Sequence, residues 1–142
     1  MNESLPPSVL IVEDEQCIRD VLVELFGVEG SHVEAAESLR AATSRLARRS
    51  FDLIVTDIRL GGRRDGGLQL MAAAGVLSAD ASIIVLTAYP DEDNRRASFR
   101  LGATHFLEKP VSLETIAALA AAAGVATAMM PVVPARASEA MV

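Results

Sequence analysis

The sequence predicts a doubly wound α/β domain, a parallel sheet covered by helices on both faces. Five short apolar runs carry this prediction, because they are continuous rather than alternating and so suit strands buried on both sides. A stretch with helical spacing follows each run, and right-handed crossovers then place a helix over each strand pair. At 142 residues the chain has room for one compact core and not for a second catalytic or DNA-binding domain.

Val9 to Val12 form the first run, which stops at the acids Glu13, Asp14 and Glu15. From Gln16 to Phe26 the apolar residues Ile18, Val21, Leu22, Leu25 and Phe26 recur at spacings of three and four, one stripe of a helix that Gly27 closes. Cys17 lies in this helix without a neighbouring Cys or His and reads as a buried or half-buried structural thiol. Gly30 turns the chain into a second strand, His32 to Ala36. Ser38 to Arg49 reads as a helix with Leu39, Ala42 and Leu46 inward and Arg40, Arg45, Arg48 and Arg49 outward. Phe51 to Thr56 is the clearest strand, and Asp57 ends it.

Gly61, Gly62, Gly66 and Gly67 surround Arg63, Arg64 and Asp65 in a loop before a short helix from Leu68 to Ala74. Ile83 to Leu86 make a fourth strand ending at Thr87, and Pro90, Asp91, Glu92 and Asp93 open a helix that runs to Leu101 and stops at Gly102. His105 to Leu107 form the fifth strand, followed by Lys109 and Pro110. Ser112 then opens an Ala-rich helix reaching Ala123. His32 and His105 lack ligand spacing and read as surface or rim residues.

The charge balance is 13 Lys plus Arg against 19 Asp plus Glu, a net −6, which offers no basic field to a nucleic-acid backbone. One cysteine excludes an internal disulfide and a cysteine-built metal site, and Met1 to Ser8 lacks the regions of a secretory signal, so the cytoplasm is the expected compartment. Thr115 to Ala135 carries no charge. A membrane span is disfavoured there, because alanine contributes little transfer energy, Pro131 breaks the end and the first half is needed to cover the sheet.

In doubly wound sheets the binding crevice lies beyond the carboxyl ends of the strands. Those ends carry Glu13 and Asp14, Asp57, Thr87 and Lys109. Three carboxylates brought close together repel one another unless a cation neutralises them, and hard oxygen ligands without Cys or His point to Mg²⁺. An aspartate beside such a cation can take up a phosphoryl group, which makes Asp57 the natural acceptor, with the Thr87 hydroxyl and Lys109 ammonium each able to meet a phosphoryl oxygen. Taken singly, each residue is more often a cap, a turn former or a solvated charge; their joint placement at four strand ends is what makes a phosphoryl site.

The segments Val9 to Glu15 (VLIVEDE), Leu53 to Ile58 (LIVTDI), Ile84 to Ala88 (IVLTA), Leu101 to Ala103 (LGA) and Leu107 to Pro110 (LEKP) together resemble a response-regulator receiver domain, the phosphoacceptor half of two-component signalling. The resemblance covers Ser8 to Ala123 and implies a flavodoxin-like five-stranded sheet in the order 2-1-3-4-5. It implies that Asp57 is phosphorylated by a histidine kinase or a histidine phosphotransfer protein, with the receiver catalysing only its own phosphorylation and dephosphorylation. Asp14 and Asp57 would contact Mg²⁺ directly, Glu13 largely through water, and the backbone carbonyl of Arg59 would complete the protein ligands. Lys109 would pair with the phosphoryl group, the Lys109 to Pro110 peptide would be cis, and Thr87 with Phe106 would form a conformational switch read by a downstream protein. The surface facing the kinase would include Gln16, Ile18, Arg19, Leu22 and the segment after Lys109. A stand-alone receiver, 8–123, with a tail, 124–142, and no output domain is expected. Three other readings stay open: an acid phosphatase or phosphotransferase that forms an aspartyl-phosphate, which would need a second acid where Arg59 stands; a receiver that binds partners without phosphorylation; and a piece of a larger regulator, which Met1 and the long tail past the last helix disfavour.

Three departures from the family pattern stand out. The turn after Asp57 lacks the usual proline and its Asp65–Gly66 pair comes late, which predicts a mobile loop beside the site. It is not a nucleotide-binding loop, since neither G-x-G-x-x-G nor a Walker lysine is present. Arg59 and Tyr89, each two residues beyond a site residue, flank the expected path of water and should slow loss of the phosphoryl group. A homodimer through the fourth and fifth helices would lack paired charges, because the fifth helix offers only Glu114 against Arg95, Arg96 and Arg100; its outer face and Met129 to Val133 are left to pack on each other, on a second copy or on a partner.

Overall fold

The computed structural model describes residues 6–129 and 142. Five parallel strands, β1 (Ser8–Val12), β2 (His32–Ala36), β3 (Leu53–Thr56), β4 (Ser82–Thr87) and β5 (His105–Glu108), form one sheet in the order β2-β1-β3-β4-β5. They alternate with α1 (Gln16–Phe26), α2 (Leu39–Arg48), α3 (Gly66–Leu77), α4 (Glu92–Arg100) and α5 (Leu113–Ala122), the flavodoxin-like arrangement that the sequence implied. The order reverses between β1 and β3, so the ends of those strands open a crevice.

Alternate residues of each strand feed two cores. Leu10, Val12, Ile54 and Val85 pack with Ala42 and Leu46 of α2 and Leu70, Met71 and Ala74 of α3. Val9, Ile11, Leu53, Val55, Ile84 and Leu86 pack with Leu22, Leu25 and Phe26 of α1 and Ile116 and Ala120 of α5 on the opposite face. Register follows from this double burial, since a slip of one residue would exchange the two cores. Val12 pairs with Ala36 and Thr56, which brings the ends of β1, β2 and β3 level, while Thr56 pairs with Val85, so that β4 runs two residues further to Thr87.

Helix starts follow their capping residues. Ser38, Asp91 and Ser112 accept from the backbone N–H of Ala41, Asn94 and Thr115 at 3.1, 2.8 and 3.1 Å. Glu92 and Asp93 in the first turn of α4 and Arg100 in its last complement the helix dipole.

Four expectations are corrected. Cys17 is exposed, because the inward stripe of α1 runs through Ile18, Leu22, Leu25 and Phe26, and a side chain one position away points about 100° off it. Val21 likewise stands at the rim, 36% exposed, whereas its neighbour Leu22, expected on the surface facing the kinase, is 1% exposed in the core because it lies on the inward stripe of the helix. Helix α3 runs from Gly66 to Leu77, well beyond both ends of the expected Leu68 to Ala74. Its buried positions Leu70, Met71 and Ala74 dock on the sheet, and tertiary packing overrides the low helix propensity of its glycines.

Past α5 the chain folds back on its own core. Val125 is buried, and Ala128 donates to the carbonyl of Leu25 at 2.8 Å. Val142 is buried and exchanges two backbone hydrogen bonds with Val111, at 2.6 and 2.8 Å. Met129 packs against the α1/α5 core, while the rest of the Met129 to Val133 segment lies outside the described residues. Among the described residues no helix is long and apolar enough to cross a membrane.

Candidate functional site

Glu13, Asp14 and Asp57 stand in the crevice because β1 and β3 end there, and Lys109 reaches it from the end of β5. The Lys109 Nζ donates to Glu13 Oε1 and to Asp57 Oδ2, each at 3.0 Å. Glu13 and Asp57 are 3% and 7% exposed, so one ammonium serves two nearly buried carboxylates. Asp57 Oδ1 faces the other way and accepts from the N–H groups of Ile58 and Arg59 at 2.6 and 3.3 Å. Glu13 Oε2 accepts from the N–H of Glu15 at 3.1 Å.

These contacts set the electrostatics. Burial pushes the Glu13 carboxyl above its ordinary value, against the opposing pull of Lys109. Burial alone would lower Lys109, but its hydrogen bonds and charge attraction to Asp57 and Glu13 outweigh that and hold it above its ordinary value. The site is therefore short of positive charge even before Asp14 is counted.

The remaining residues named from the sequence are placed as follows. Asp14 is exposed, and its Oδ2 accepts from the N–H of Gly61 at 3.0 Å. Thr87 is fully buried; its hydroxyl accepts from the N–H of Tyr89 at 3.0 Å, and its carbonyl accepts from the N–H of Lys109 at 2.8 Å. The Lys109–Pro110 peptide is cis. Phe106 pairs with Val85 in the sheet and is half-buried against the α2/α3 core. The Arg59 guanidinium lies 3.8 Å from the centre of the Tyr89 ring.

The donor set fits a hard divalent cation, being all oxygen and undersupplied with positive charge. Among the described residues, however, no three acids stand close enough to form a ready cage. Glu13 and Asp57 converge on Lys109, and Asp14 is the acid held apart.

Two features were not legible in the sequence. Gly67 donates to the carbonyl of Ile58 at 2.7 Å, and a Cβ on it would lie 2.1 Å from the carbonyl oxygen of Asp57. The glycine run contained the signal, but only the approach of α3 to β3 shows which glycine is required. The loop after Asp57 contains a closed turn. Leu60 and Arg63 exchange two backbone bonds at 3.1 and 3.0 Å around Gly61 and Gly62, whose φ of 57° and 84° suit a two-residue type I′ turn.

Comparison with known proteins agrees with this geometry. The chain matches the response regulator receiver domain family over residues 9–121. It is similar to the response regulator protein PilR of Pseudomonas aeruginosa, 36% identical over 115 residues that cover 80% of this chain and 25% of PilR. It is also similar to the KDP operon transcriptional regulatory protein KdpE of Escherichia coli, 36% identical over 107 residues covering 75% of this chain and 46% of KdpE. The chain thus spans between a quarter and a half of the length of these curated relatives. Among solved structures, a response regulator from Burkholderia pseudomallei, described with a phosphorylated aspartic acid, calcium ion and citrate, superposes with TM-score 0.70 at 31% identity over 79% of this chain and 65% of that one. A CheY-like receiver domain from Methanospirillum hungatei does so with TM-score 0.72 at 28% identity over 80% and 88%. The family match begins in β1 and ends in α5, so it spans the whole sheet together with the acids at its strand ends, and this chain belongs to the response regulator receiver domains of two-component signalling.

Proposed function

We propose that Asp57 accepts a phosphoryl group from a phosphohistidine, on a sensor histidine kinase or a histidine phosphotransfer protein, and that the resulting change of shape is read by a downstream protein in the cytoplasm. The observation that carries this reading is the Lys109 ammonium held 3.0 Å from both Glu13 and Asp57 in a nearly buried crevice. A carboxylate oxygen of Asp57 forms the new O–P bond as the P–N bond to the donor imidazole breaks, and the imidazole nitrogen keeps the electron pair. The N–H groups of Ile58 and Arg59 fix the carboxylate plane beforehand, so orientation is not lost at the moment of attack. Lys109 meets the negative charge of the incoming group.

Glu13, Asp14, Asp57 and the carbonyl of Arg59 would hold Mg²⁺, which when bound offsets charge on the phosphoryl oxygens. The Burkholderia relative, with its phosphorylated aspartic acid and calcium ion, supports the same use of the site here. In this reading Thr87 exchanges the N–H of Tyr89 for a phosphoryl oxygen, and the half-buried Phe106 turns into the space the hydroxyl leaves. Residues 8–123 form the receiver unit and 124–142 a tail, of which Val125, Met129 and Val142 lie against its core.

Intact mass after incubation with acetyl phosphate and Mg²⁺ tests the proposal. A gain of about 80 Da, one phosphoryl group on a carboxylate, is expected for the wild type and not for Asp57→Asn or a sample with EDTA. An adduct that persists in Asp57→Asn would place the acceptor elsewhere. Absence of an adduct in the folded wild type with Mg²⁺ would favour a module that binds partners without phosphorylation.

A further inference from the structure

The turn after Leu60 holds Asp14, the acid at the strand ends that does not join Glu13 and Asp57 on Lys109. Two reciprocal backbone bonds close it, and left-handed φ angles at Gly61 and Gly62 fix the direction of the Gly61 N–H. That N–H donates to Asp14 Oδ2 at 3.0 Å, the only hydrogen bond or ion pair of the Asp14 side chain among the described residues. Glu13 and Asp57 are already gathered by Lys109, yet no three-acid cage forms among the described residues. We propose that the Leu60–Arg63 turn is a latch that competes with Mg²⁺ for the Asp14 carboxylate, so that the turn, as well as the acids, sets the metal affinity of the site.

This inference rests on the reading of Glu13, Asp14 and Asp57 as the residues that hold Mg²⁺. A hydrogen bond to a carboxylate is among the stronger ones, and a turn closed by two backbone bonds already points the N–H at it. Asp14 itself is exposed, so its carboxylate is free to swing once released. The Gly61 bond occupies Oδ2 and with it sets the orientation of the whole carboxylate, so that turning Asp14 toward Glu13 and Asp57 to share a cation breaks the bond. Loosening the turn strengthens metal binding, and stiffening it weakens metal binding.

Calorimetric titration of the full chain with Mg²⁺ tests the latch. Gly61→Pro removes the donor and cannot adopt a φ of 57°. Gly61→Asn keeps the donor and tolerates that φ. Gly61→Pro is expected to bind Mg²⁺ about tenfold more tightly than the wild type, and Gly61→Asn within about twofold of it. In the wild type the Gly61 amide should lose hydrogen-exchange protection as Mg²⁺ saturates. Nothing lies within 4 Å of a Cβ built on Gly62, so Gly62→Val strains only the turn and gives a second variant should Gly61→Pro fail to fold. Unchanged or weaker Mg²⁺ binding in the turn variants, a Gly61 amide that stays protected at saturation, or no Mg²⁺ binding in any form would overturn the latch. Loss of the acetyl phosphate adduct with the affinity order intact would instead overturn the phosphoacceptor reading and leave the latch standing.

Discussion

Glu13 carries a charge that its surroundings resist. Burial raises its carboxyl above the ordinary 4.5, so the folded chain holds that proton more tightly than the unfolded chain does. The stability this proton contributes is fully present below about pH 4.5 and is lost as pH rises through the raised folded value. Without divalent cation, the wild type should therefore lose stability with rising pH across that window more steeply than Glu13→Gln, which cannot ionise. Urea midpoints at several pH values in EDTA measure the difference, and parallel curves would remove burial as the cause. At the outer edge of the crevice the Arg59 guanidinium stacks on Tyr89, and both side chains cover the approach to Asp57 by water in the proposed reading. Arg59→Asn with Tyr89→Ala should speed loss of the phosphoryl group by about tenfold, an order-of-magnitude expectation for lost water exclusion. Decay of the 80 Da adduct measures it, and an unchanged half-life would show that neither side chain shields the bond.

Helix α3 shows how one substitution changes sign along one element. Gly67 sits where the first turn of the helix touches β3, and an added Cβ would come within 2.1 Å of the Asp57 carbonyl oxygen and 2.8 Å of the Ile58 Cα. Backbone cannot give way as a flexible side chain can. Gly67→Ala is expected to cost about 2 kcal/mol or more and to shift the carboxylate of Asp57. Gly75 lies in the same helix, is exposed, and has nothing within 4 Å of a built Cβ. Gly75→Ala should stabilise by about 0.5 to 1 kcal/mol through lower chain entropy in the unfolded state. Urea midpoints of the two variants check both signs, and a shared sign would show that proximity to β3 is not what governs the helix start.

At the scale of the whole molecule, Val125 and Val142 beyond α5 complete a core. Val125 and Val142 are 2% and 8% exposed, and both belong to the cluster between the sheet and the α1/α5 pair. Removing residues 124–142 should lower stability by about 3 kcal/mol, at roughly 1.5 kcal/mol for each buried valine, and should uncover apolar surface beside α1 and α5. Thermal unfolding and the mass in solution of the shortened chain test this. Unchanged melting, mass and solubility would show that Val125 and Val142 contribute nothing to that core.

The amino-acid sequence determined the strand and helix order, the double burial of the strands and the identity of the acids, threonine and lysine at the strand ends. Those features follow from local periodicity and from the chemistry of single residues, which neighbours in the chain are enough to express. Only the tertiary structure decided that Cys17 points outward, that α3 begins at Gly66, that Gly67 touches Asp57 and that Asp14 is drawn to Gly61 rather than to Glu13 and Asp57. Each of these depends on the distance between segments far apart in the chain, and such distances are fixed by how helices pack on the sheet and how the turn after β3 closes.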